Sequence, residues 1–104
     1  MKCFIYIDAV KIGDADLSVI DESMGVIGGR FIPSGAYHKF QSLVQNQCEQ
    51  KGISNLSDFN YRIANANHID LNPEGGIGIT DLRDFDEIYL ECAGLNGDQL
   101  MDFK

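Results

Sequence analysis

Two groups of oxygen-bearing side chains in this chain have the composition of chemical sites. The first runs Asp70-Leu-Asn72-Pro-Glu74-Gly75-Gly-Ile77-Gly-Ile-Thr-Asp81 and imitates a calcium loop of the EF-hand type. Oxygen ligands occupy positions 1, 3, 5 and 12, with glycine at 6 and isoleucine at 8, the pattern that lets one short loop cage a hard cation. Three departures weigh against it: Pro73 sits inside the loop, position 12 is the shorter Asp81, and Gly78 supplies no ligand at position 9. A glycine-rich hairpin loop accounts for the segment better, and the metal candidates Asp70, Asn72, Glu74 and Asp81 stand as the weaker reading. The second group is Asp81, Asp84, Asp86, Glu87 and Glu91, with Tyr89 among them. Asp84, Asp86, Glu87 and Glu91 could supply the carboxylate pair of a glycosidase or hold magnesium, but clustered acids are more often a solvated face.

Other reaction signatures are weaker still. Gly75-Gly76-Ile77-Gly78 and Gly25-Val-Ile-Gly28-Gly29 lack the lysine and hydroxyl of a phosphate loop, and neither opens a helix. Turns and bulges explain these glycines. His38 and His68 have no Cys or His neighbours at zinc-ligand spacing, and Cys3, Cys48 and Cys92 stand at apolar positions, where a thiol is inert filling. The reading is therefore of a protein without catalytic residues or cofactor.

Charge is more informative. The 104 residues carry a net charge of −8. Residues 1–52 hold five basic and six acidic side chains, and residues 53–104 hold three basic and ten acidic, so the halves are −1 and −7. Between Asp70 and Asp102 there are nine carboxylates, and Arg83 is the one cation. Such a surface repels phosphate backbones, which disfavours direct nucleic-acid binding, and it attracts a partner of opposite sign. Hydrophobic residues at 44% and charged residues at 23% are ordinary globular values, so this acidity does not imply disorder.

The length suits one domain, residues 1–104, around one core. Three cysteines, an odd number in apolar settings, point to reduced thiols and a cytoplasmic protein. The apolar run after Lys2 ends at Asp8, too short for a signal peptide, and no stretch nears the roughly 20 residues of a membrane span.

These residues must be positioned by a few elements. Residues 2–12 read as a central strand, and Gly13-Asp14-Ala15-Asp16 as a turn leading into a short strand over 17–20. Residues 26–32 read as a further strand. Tyr37, Phe40, Leu43, Val44 and Cys48 recur at three- and four-residue spacing, which predicts one amphipathic helix of about four turns, capped by Ser34 and ended by Gly52. Its Gln41, Gln45, Gln47, Glu49 and Gln50 are expected to face water. Phe59, Tyr61 and Ile63 alternate with polar residues, as do Ile88, Leu90 and Cys92, so Glu87, Tyr89 and Glu91 should project from the opposite sheet face. The expected architecture is α+β, two-layer, a largely antiparallel sheet with one main amphipathic helix. Glu87, Tyr89 and Glu91, flanked by the 81–86 loop, then form an aromatic anchor set among acids, a reasonable surface for a basic protein.

In size, in charge, in a sheet with one helix, and in the run Gly75-Gly76-Ile77-Gly78-Ile79-Thr80-Asp81 leading to Glu87-Ile88-Tyr89-Leu90-Glu91 and Gly94-Leu95, the chain resembles the immunity proteins of bacterial contact-dependent inhibition and related polymorphic toxin systems. The resemblance implies a protein that neutralises a cognate basic toxin, nuclease-like, in a 1:1 heterodimer. An acidic mimic of nucleic acid that inhibits a DNA- or RNA-binding enzyme is the alternative from the same electrostatics, and a small calcium-binding module is the alternative from the first motif.

Overall fold

The computed structural model describes all residues, 1–104, and has the α+β architecture expected. Seven strands, β1 (Lys2–Ile7), β2 (Val10–Asp21), β3 (Val26–Pro33), β4 (Tyr61–Ala64), β5 (Asp70–Leu71), β6 (Gly76–Thr80) and β7 (Ile88–Ala93), form one antiparallel sheet in the order β5-β4-β1-β2-β3-β7-β6. A 3-10 helix (Gly35–Lys39) runs into the main helix α1 (Gln41–Lys51), and a short α2 (Gly97–Met101) ends the chain. The 3-10 helix packs on β2 and β3, and α1 packs on β6. No helix is long and apolar enough to cross a membrane.

One cluster of 22 buried residues fills the space between the sheet and these helices. Period-two alternation supplies it: Cys3, Ile5 and Ile7 from β1, Ile77 and Ile79 from β6, and Ile88, Leu90 and Cys92 from β7 all point inward. Aromatic edges stitch the layers, with Phe31 against Tyr37 at 5.1 Å and Phe59 lying between Phe40 and Tyr61 at 5.9 and 5.8 Å between centroids. The sheet curls until its edge strand β6 approaches β4. Ser54 joins them, exchanging backbone hydrogen bonds of 2.9 and 2.8 Å with Ile79 while its Oγ lies 2.7 Å from Tyr61 Oη.

The first turn lies elsewhere than the sequence suggests. It falls at Asp8-Ala9, where Asp8 takes a left-handed φ of 53° and Ile7 pairs with Val10. Asp tolerates that conformation well, so no glycine is needed there. Gly13-Asp14-Ala15-Asp16 is instead the interior of the twelve-residue β2. Asp14 is accommodated within the sheet because the ammonium groups of Lys2 and Lys11 lie 3.5 and 3.0 Å from its carboxylate.

The helix is also shorter than the apolar spacing predicts. It breaks at Phe40, so the first turn is the 3-10 segment and α1 begins at Gln41. Ser34 precedes the 3-10 helix but donates its hydroxyl to the Lys11 carbonyl instead of capping. Gly52 ends α1 as expected, in the left-handed region at φ 85°, its N–H bonded to the Cys48 carbonyl. The break rotates α1 so that Leu43 is 54% exposed, while Gln41 and Gln45 turn toward the sheet beside Val44 and Cys48.

All three cysteines are buried and free. Burial pushes the Cys3 and Cys92 thiols up to about 11 and about 12 respectively, which leaves almost no thiolate at neutral pH. The folded protein is expected to react with a thiol-specific disulfide reagent at least 100-fold more slowly than the same protein in denaturant, where three equivalents are consumed. Rapid release of even one equivalent from the native protein, followed by its absorbance, contradicts this packing.

Candidate functional site

The acidic residues singled out in the sequence divide into two groups in space. Asp81 belongs to the interior. It is 2% exposed, and its Oδ2 accepts from Tyr37 Oη at 2.7 Å and Gln41 Nε2 at 3.3 Å, while Oδ1 accepts from Gln45 Nε2 at 3.1 Å. Burial, reinforced by the bond to Asp81, pushes the Tyr37 hydroxyl well above the ordinary phenol value and keeps it a donor. Asp81 therefore fastens α1 and the 3-10 helix to the end of β6, and it contributes nothing to a binding surface.

The same placement separates the ends of the calcium-loop segment. Its position-12 residue points into the core. Asp70, at position 1, lies on the exposed side of β5 with Arg62 3.0 Å away.

Asp84, Asp86, Glu87, Tyr89 and Glu91 are all exposed. Tyr89 and Glu91 project from the outer face of β7 because Ile88, Leu90 and Cys92 are drawn into the core, as the alternation predicts. Strand register then fixes their neighbours. Lys2, Asp16, Arg30, Tyr89 and Thr80 lie side by side in one row across β1, β2, β3, β7 and β6. The next row places Glu91 between Gly28 and Gly78. A Cβ on Gly28 would sit 2.3 Å from Ile20 Cδ1 and 2.9 Å from Tyr89 Oη, so the missing side chain lets both lie across β3.

The loop before β7 adds a second ring. Leu82 packs against the core, Phe85 N–H closes a turn on the Leu82 carbonyl at 3.0 Å, and the Phe85 ring is left 65% exposed. Between this loop and the sheet lies a cleft of about 340 Å³, lined by Arg30, Thr80, Leu82, Phe85, Glu87, Ile88 and Tyr89. Neither Phe85 nor Arg30 was singled out by the sequence reading. An exposed phenylalanine in an acidic loop was the available signal for the first, whereas the second is visible only through the β3–β7 register.

Charge pairing sharpens the picture. Six of the eight basic side chains are committed to ion pairs: Lys2 and Lys11 with Asp14, Lys51 with Asp58, Arg62 with Asp70, Arg83 with Glu49, and Lys104 with Glu22. Arg83, the cation within the acidic segment, turns away to Glu49 and to Asn46 Oδ1 on α1. None of Asp84, Asp86, Glu87 and Glu91 has an ion-pair partner, and Arg30 is the one cation lining the cleft. The β1–β2 side of the outer face is by contrast nearly balanced, with Lys2, Lys11 and the N-terminus set against Asp14 and Asp16.

A wider cleft of about 510 Å³ lies at the opening between β5 and β6, lined by Leu56, Tyr61, Leu71 and Pro73, among others. Its ionic groups include Arg62 and Asp70, which satisfy one another. Compared with protein-family models, with curated proteins and with solved structures, the chain matches none.

Proposed function

We propose that this protein is an immunity-type inhibitor that binds a basic protein domain, a nuclease-like toxin, as a 1:1 complex through the outer face of β7 and the 82–87 loop. The observation that carries the reading is the combination of two exposed rings, Phe85 and Tyr89, with four carboxylates that no cation of the chain neutralises. Rings of this size supply buried contact area at small entropic cost, and the uncompensated charge selects a cationic surface. The carboxylates stand in for substrate phosphates and cover the partner's active site. Asp84, Asp86 and Glu87 share one short loop, with Glu91 on the strand that follows, instead of repeating along an extended surface, which favours a single protein partner over a phosphate-like mimic.

Capture with tagged protein from its native host, eluted at high salt, is expected to yield one basic toxin domain. Recovery of many unrelated nucleic-acid enzymes supports the mimic instead. With the partner in hand, the variant D84N/D86N/E87Q/E91Q is expected to bind about 10- to 100-fold more weakly at low salt, chiefly through slower association, and to show a flatter dependence on ionic strength. Unchanged affinity and salt dependence, measured by surface plasmon resonance, place the interface on another face.

A further inference from the structure

We infer that the cleft between Tyr89 and the 82–87 loop accepts a guanidinium group, and that an arginine side chain of the partner is what it holds. The inference rests on the proposed reading only in taking the ligand to be part of a protein. Three observations lead to it. The cleft, at about 340 Å³, is concave and large enough to surround one long side chain. Its lining is mainly apolar, from Leu82, Phe85, Ile88 and Tyr89, and this suits a hydrocarbon stem. Glu87 is in the lining, and Asp84 and Asp86 flank Phe85 and carry no ion pair.

An apolar lining with two aromatic rings and one unpaired carboxylate, Glu87, with Asp84 and Asp86 on the adjoining loop, is the environment a planar, weakly hydrated cation prefers. Guanidinium stacks on rings and bonds carboxylates in a two-pronged way, whereas a lysine ammonium is compact and more strongly hydrated. Arg30 is already there. It lies beside Tyr89 in the register without an ion pair, and it marks the sign of the test: removing it should help an incoming cation and should abolish binding of an anion.

The probe is N-acetyl-arginine amide, titrated into the isotopically labelled full chain and followed by amide chemical shifts. Saturable shifts confined to residues 80–89 and the Arg30 region are expected, with little response to the neutral citrulline analogue and weaker binding of the lysine analogue. F85A and E87Q should each weaken the probe about three- to fivefold, the size of an exposed cation–π contact, and R30Q should tighten it. Shifts scattered over Asp98, Asp102 and Glu74 as well, or a loss of binding in R30Q, overturn the pocket. If arginine fails to bind while a basic protein is still captured in a salt-dependent way, the pocket falls and the partner reading stands. Saturable arginine binding without any captured basic protein supports the pocket and removes the partner reading.

Discussion

Replacing Asp81 by alanine is expected to destabilise the protein by about 3 to 4 kcal/mol, the cost of deleting a buried hydrogen-bonded carboxylate and orphaning its donors. Tyr37 Oη, Gln41 Nε2 and Gln45 Nε2 all donate to this one carboxylate and make no other side-chain hydrogen bond, the 3.3 Å contact of Gln41 with His38 Nδ1 being through its carbonyl oxygen. At roughly 4 to 8 °C per kcal/mol for a domain of this size, the melting temperature should fall by about 12 to 30 °C. The conservative change Y37F removes one donor and leaves the carboxylate in place, so about 1.5 to 3 kcal/mol is expected there. The two effects should not add, because both residues act through one network. Urea denaturation of the two single variants and the double variant measures all three. A loss below about 1 kcal/mol in D81A would show that Asp81 does not hold the helix to the sheet.

Gly29→Ala is expected to have an effect of similar size by a different route. Gly29 sits on β3, between Leu17 of β2 and Leu90 of β7, in the interior of the sheet. A Cβ built there lies 1.9 Å from the Asp16 carbonyl oxygen and 3.0 Å from its carbon, both backbone atoms of the adjoining strand. No rotamer change relieves such a contact, so β2 and β3 must separate locally. Overpacking of a tight interior costs about 1 to 3 kcal/mol and more where backbone must move, which places this variant at about 3 kcal/mol or above. Because a misfolded product reads the same as severe destabilisation, Gly35→Ala serves as the control. Nothing lies within 4 Å of its Cβ, and it should fold normally. Equal denaturation midpoints for G29A and wild type would mean that β3 lies farther from β2 than the register indicates.

Both variants fall on residues whose importance the sequence hides. Gly28-Gly29 in the sequence signals either a bulge or a close backbone approach, and it is the pairing of β2 with β3 that makes the close approach at Gly29 indispensable. Asp81 looked like the first member of the acidic loop. A short carboxylate directly after the Ile77-Gly-Ile79-Thr80 strand is the only local signal, and its donors are 36 to 44 residues away in the chain. The same distance explains Gln41 and Gln45, which are polar by type and inward by placement. Apolar spacing over residues 37–48 suggested one regular helix, and the 3-10 segment at its start shifted the phase enough to expose Leu43.

Whatever depends on period and composition is legible in the chain. Alternation fixed β7 and the outward direction of Tyr89 and Glu91, because side chains two apart along a strand must share a face, whereas Glu87, expected on the same strand, lies in the loop before Ile88. Composition fixed the charge surplus, and Gly52 fixed the end of α1, since a left-handed terminal residue strongly favours glycine. Which carboxylates remain free is settled by folding. Pairing depends on which cation reaches which acid through space, and that is how Arg83 came to leave its own segment for Glu49 while Arg30 arrived beside Tyr89 from another strand. The cleft belongs to the same class, because its walls come from β3, β6, β7 and a loop that meet only when the sheet is assembled.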